Sequence, residues 1–165
     1  MNAIKPIGLM LSLVIPALPA LAGTTLGHAP AETVIYFTDV AQLRHQAEIG
    51  DSEAQLALGY EYLRPSARYG LPQSDRQARF WFRRAARQGH GAAAYNLAVM
   101  SIQGIGTQRD LVRALAWLEI AAANGHESSR ELIPEVTVLL DAHQQQQAVK
   151  MKDKLVPASV LGDRI

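Results

Sequence analysis

Four arginines stand in one register, Arg76, Arg79, Arg83 and Arg87, at intervals of 3, 4 and 4. On a helix that spacing places them on one face. The planar guanidinium fork matches carboxylate and phosphate oxygens, so the chemistry this row offers is anion binding. The competing reading is a solvated outer face with no ligand. Five histidines, His28, His45, His90, His126 and His143, are scattered through the chain. A zinc site needs ligands that converge, and no close cluster of histidine with acids stands at ligand spacing. Ser128-Ser129 lacks the glycine-flanked elbow of a hydrolase nucleophile, and no Ser-x-x-Lys occurs. Gly104-Ile105-Gly106 is half of a dinucleotide fingerprint, but no apolar strand precedes it. We expect no catalysis, no metal and no cofactor.

The elements that would position these groups come from an internal repeat. Trp81 and Trp117 stand 36 residues apart, as do Ala78 and Ala114, Ala85 and Ala121, Gly89 and Gly125, and His90 and His126. A fixed offset of this size marks stacked supersecondary units. The spacing predicts a helix opened by Asp39, running to Ile49 and stopped by Gly50. Helix A of the first pair then runs from about Glu53 to Leu63, with Ala54, Leu58, Gly59 and Tyr62 on one face. A glycine inside a helix costs about 1 kcal/mol relative to alanine; close approach of a neighbouring helix would justify Gly59. Ser74 is the expected cap of helix B, whose inner face is Ala78, Trp81, Phe82, Ala85 and Ala86.

The second pair places Ala93, Leu97, Ala98 and Ser101 on helix A. There the offset is 39, so the first linking loop is three residues longer. Asp110 caps the second helix B, with Ala114, Trp117, Leu118, Ala121 and Ala122 inward. Past Glu127 the pattern decays. Pro134 would remove a hydrogen bond from a helix interior, so a capping helix with Val136 to Leu140 as its apolar part is expected, followed by a last helix opened by Asp141 and Gln144.

These residues resemble the Sel-one-like repeat family, an α-solenoid relative of the tetratricopeptide repeats. The resemblance rests on Ala93 through Met100, on Gly104-Ile105-Gly106, on Asp110 with Arg113-Ala114, and on Trp117 through Ala121-Ala122 to Gly125-His126. It spans roughly Val40 to Glu127. Arg68 replaces the first loop glycine of repeat one, and Ser101 replaces the usual tyrosine of repeat two. The implied fold is all-α: a short α-solenoid of antiparallel helix pairs, two full repeats flanked by an N-terminal capping helix and C-terminal capping helices.

Residues 1–22 read as a signal peptide. Lys5 supplies the positive end, Ile7 to Ile15 a short apolar core, and Ala20-Leu21-Ala22 the small-x-small cleavage rule. Residues 23–38 form a flexible or extended lead-in, and 39–165 the repeat domain with its caps. The apolar run is too short for a membrane span. The chain contains no cysteine, so neither a disulfide nor a cysteine-linked lipid anchor is expected, and export fits a bacterial periplasm, with secretion as second choice.

Charge is unevenly spread. Residues 64–87 hold seven arginines against Asp75 alone, while residues 23–63 hold six acids against Arg44. Export argues against nucleic acid as the target of the arginine row; an acidic protein or anionic envelope polymer fits better.

The resemblance implies a protein-interaction module, an adaptor or regulator binding a protein or peptide of the cell envelope on the concave surface of the A helices. On those helices Tyr60, Glu61, Asn96, Val99 and Met100 have no task in the core pattern, and we expect them to be exposed and to line the partner site. The same resemblance allows an inhibitor or immunity protein against a toxic periplasmic enzyme. A hydrolase of cell wall or β-lactams is the remaining alternative.

Overall fold

The computed structural model of the protein describes residues 39–66 and 69–156. The expected signal peptide and lead-in, residues 67–68 and residues 157–165 lie outside the described residues. Among the described residues all regular structure is helical: α1 (Val40–Ile49), α2 (Ser52–Leu63), α3 (Asp75–Ala86), α4 (Gly91–Gln103), α5 (Leu111–Ala123), α6 (Glu127–Thr137) and α7 (Ala142–Leu155). Each helix from α1 to α5 packs on the next, and α7 returns to lie against α5. This is the short α-solenoid that the repeat implies.

Local chemistry sets the boundaries. The side chains of Asp39, Asp51, Ser74, Asp110 and Asp141 accept hydrogen bonds from the backbone N–H of Gln42, Ala54, Gln77, Arg113 and Gln144. Such caps satisfy donors that the first helical turn leaves free, at about 1 kcal/mol each. Asp141 and Gln144 complete a reciprocal capping box. Gly89 and Gly125 have φ of 85° and 82°. That left-handed conformation ends each helix B and turns the chain straight into α4 or α6.

The main core joins α3, α4 and α5 through Phe82, Leu97, Met100, Trp117, Leu118 and Ile120. A smaller cluster holds Leu43, Ala47, Leu58, Leu71 and Trp81 at the N-terminal end. A Cβ added to Gly59 would stand 2.5 Å from Cδ1 of Phe82. The neighbouring helix that Gly59 called for is therefore α3, with the Phe82 ring laid on the glycine. Gly91 plays a similar part: a Cβ there would meet the Asn124 carbonyl oxygen at 2.8 Å, where α4 starts against the end of α5.

Three details depart from the expectation. Pro134 does not stop α6, which runs through it with the ring exposed. The helix ends at Thr137, so Val136 is its last buried residue and Leu140 belongs to the following turn. Ala122 is only half-buried, at the edge of the α5 face.

Candidate partner-binding surfaces

The A helices of the two repeats are α2 and α4, with α6 next in line. Asn96 on α4 donates through Nδ2 to the Tyr60 hydroxyl on α2 at 2.7 Å and to the Ala92 carbonyl at 2.9 Å. Asn96 is 4 % exposed, Val99 4 % and Met100 1 %. The expectation that these three are exposed partner contacts is corrected. The small residues Ala93, Ala94 and Ala98 let neighbours close in, and α4 is enclosed by α3 on one side and α5 on the other. Met100 thereby joins the main core, and the Asn96 amide ties one repeat to the next.

Tyr60 and Glu61 stay half-buried. The Tyr60 ring meets Phe82 edge-on, with centroids 5.3 Å apart. The Glu61 carboxylate accepts from both the backbone N–H and the hydroxyl of Ser66, at 3.0 and 2.8 Å, and so shapes the start of the linking loop.

Three side chains that the sequence did not assign to the partner site complete this face. Tyr95, half-buried on α4, stacks on His126 at the start of α6, with centroids 4.3 Å apart and planes 22° from parallel. His126 Nδ1 shares a 3.0 Å hydrogen bond with the buried Ser129 hydroxyl. His90 Nε2 shares one of 2.9 Å with Glu53. Burial pushes the Tyr95 phenol above its ordinary pKa, with the nearby Tyr60 and Glu131 adding to the shift. Burial also pulls the His126 imidazole below its ordinary value; His90 adds to this and Glu127 opposes it. His126 is thus biased toward neutral imidazole, the form that stacks without a charge to desolvate. Only the equivalent positions of His90 and His126 could have signalled this row. Gln55 gave no signal at all, yet it is buried, donates to the Ala47 carbonyl at 2.9 Å and accepts from Gln88 at 2.8 Å.

The arginine row lies on α3. Arg76, Arg83 and Arg87 are exposed. Arg79 is 6 % exposed, so the reading of a uniformly solvated face is corrected at this position. Its stem lies against Gly106 of the second linking loop, where an added Cβ would come within 2.9 Å of the arginine Cδ. Its Nη1 is buried and has no hydrogen-bond partner among the described residues. Burial, then the charges of Arg83 and Arg113, lower the Arg79 pKa; Asp110 opposes them. Burial, then Arg87 and Arg113, do the same to Arg83. Guanidinium remains charged at neutral pH regardless. Together with Arg113 and Leu155 these arginines border an open cavity of about 620 Å³.

Among the described residues no group of histidines and acids converges on a metal position. No described helix is long and apolar enough to cross a membrane.

Comparison with known proteins agrees with this geometry. A family profile, the Sel1 repeat, matches residues 52–90 and 91–126. The chitin synthase regulator SKT5 of Malassezia restricta is 46% identical over 55 residues, 33% of this chain and 4% of that protein. The crystal structure of a protective antigen present in uropathogenic Escherichia coli strains, displaying an SLR fold, superposes with a TM-score of 0.64 at 32% identity, over 70% of this chain and 24% of that one. A Sel1 repeat protein from Oxalobacter formigenes superposes with a TM-score of 0.53 at 23% identity, over 70% of this chain and 49% of its own. The chain thus spans less than half the length of each of these relatives.

Proposed function

We propose, from the match of residues 52–126 to two Sel1 repeats, that the chain works in the cell envelope as an adaptor or regulator, binding a protein partner on the face of α2, α4 and α6. Sel1 repeats mediate protein–protein interaction. The observation that carries the finer reading is the half-buried aromatic row across the three helices: Tyr60, Tyr95 and the stacked His126. Aromatic side chains of this kind give large, rigid contact area at low entropic cost. The envelope location is supported by the signal-peptide pattern of residues 1–22.

Binding is tested by a pull-down from envelope extract with the full chain and with Tyr95→Ala, the fold of the variant being checked by circular dichroism. A specific prey held by the wild type and lost by the variant supports the reading. A prey held equally by both, or turnover of a chromogenic β-lactam or purified murein by the wild type, contradicts it. Location is tested by mass spectrometry of the envelope fraction: a mature chain starting at Gly23 is expected, and an intact Met1 refutes export.

A further inference from the structure

The offset of 36 aligns Arg79 with Leu115 and Arg83 with Glu119. In the second repeat the fold itself completes this face. Leu115 is buried in the core, α7 packs on α5, and Glu119 pairs with Lys152 of α7 at 2.9 Å. In the first repeat the same two positions carry guanidinium groups. A buried charged donor without a partner is costly, and no hydrogen bond among the described residues relieves Arg79 Nη1. The acid nearest in effect, Asp110, is already engaged: it accepts the α5 cap from the Arg113 N–H and pairs with the Arg113 side chain at 3.2 Å. Packing alone does not call for arginine either, because leucine serves at the equivalent position. Gly106 leaves room for the arginine stem.

We propose that the cavity between α3, the linking loop at Gly106 and the end of α7 is a binding site for an acidic peptide segment of a partner protein, with Arg79 taking a carboxylate at the buried end and Arg83 and Arg87 taking further carboxylates at the exposed end. The cavity, about 620 Å³, lies within the usual 300–1,000 Å³ range of ligand sites, roughly room for several side chains rather than one ion. Arg79, Arg83 and Arg87 follow one another every four residues, about 6 Å of helix rise. Alternate side chains of an extended peptide recur about every 6.6 Å. An acid at every second residue therefore meets one guanidinium after another, each in a charge-assisted and bidentate geometry. Lys152 on Glu119 shows the same device within the fold, an incoming segment supplying the opposite charge. This site rests on the reading of the chain as a protein-binding module, and it lies on α3, apart from the aromatic row.

The test is fluorescence anisotropy of the full chain with a labelled heptapeptide of alternating glutamate and serine. Saturable binding is expected, with the glutamine–serine peptide at least about tenfold weaker, since each charge-assisted hydrogen bond contributes enough for such a factor. Arg83→Glu with Arg87→Glu, at exposed positions that leave the core untouched, weakens binding by about thirtyfold or more, as charge reversal makes the rim repel the peptide. Arg79→Met weakens it about tenfold, while Tyr95→Ala leaves it unchanged. Equal binding by wild type and the double reversal overturns the proposal. So does displacement of the peptide by inorganic phosphate at equal concentration, which makes the cavity a general anion site. Either failure leaves the pull-down through the aromatic row standing, so the two readings fail separately.

Discussion

The first repeat lays Phe82 on Gly59; the second has Leu118 and Ala98 at the equivalent positions. The smaller residue on one helix is matched by the larger on the other, so the pair keeps its volume while the residues change. Interiors packed near crystal density require such compensation. Arg79 and Leu115 obey no such rule. Leucine fills its place with apolar contacts, whereas arginine brings to a similarly buried place a guanidinium whose Nη1 has no hydrogen-bond partner among the described residues. Where the two repeats differ with compensation, the difference is packing. Where they differ without it, the difference points outside the chain.

The comparison can be broken most severely at the tryptophans. Trp117 is 1 % exposed and sits in the larger core, Trp81 8 % exposed in the smaller. Trp117→Ala is expected to cost about 3–5 kcal/mol in denaturant unfolding, the usual range for emptying a large aromatic site, and Trp81→Ala less. A Trp117 loss below about 1 kcal/mol contradicts its place in the core.

The volume exchange is next. Gly59→Ala drives a methyl into the Phe82 ring and is expected to cost about 1–3 kcal/mol. Adding Phe82→Leu, which reproduces the second repeat's pair, recovers part of that loss; a double-mutant cycle reads the coupling. Additive losses would mean the two positions do not share space.

At the uncompensated position the sign reverses. Arg79→Leu is expected to raise stability by about 1 kcal/mol, because it removes a buried unpaired donor. A destabilised variant would show that the guanidinium is satisfied in solution.

The smallest effect is a pH dependence at His126. Its folded pKa is depressed, so the unfolded chain binds the extra proton more readily. The stability it contributes is complete above its ordinary value of about 6.5 and is lost as pH falls through the depressed folded value. Unfolding midpoints measured from pH 7.5 down to pH 5 show this slope in the wild type and a shallower one in His126→Gln.

Much of the fold was legible because repeats encode it locally. The caps at Asp39, Ser74, Asp110 and Asp141 and the glycine stops need only neighbouring residues, and Gly59 announced a close helix before Phe82 was seen to be the ring upon it. Exposure was not local. Asn96, Val99 and Met100 lie on the side of α4 that the pair pattern leaves free, and they are buried because α3 and α5 flank that helix on both sides. Helical spacing likewise put Arg79 beside Arg76 and Arg83 on an outer face. Its burial is made by Gly106 and neighbouring elements distant in sequence. The Gln55–Gln88 bond joins α2 to the end of α3 across 33 residues, and no period marks it.

The central claim, that the chain binds a partner through the aromatic row and the first repeat's arginine face, is tested most directly by photocrosslinking in cells. A photoreactive phenylalanine analogue is placed at Tyr95, at Arg83 or at the exposed Val149 of α7, and adducts are identified by mass spectrometry. The account predicts adducts to the same protein from positions 95 and 83 and none from position 149. Adducts from position 149 alone, or none from positions 95 and 83, would contradict it.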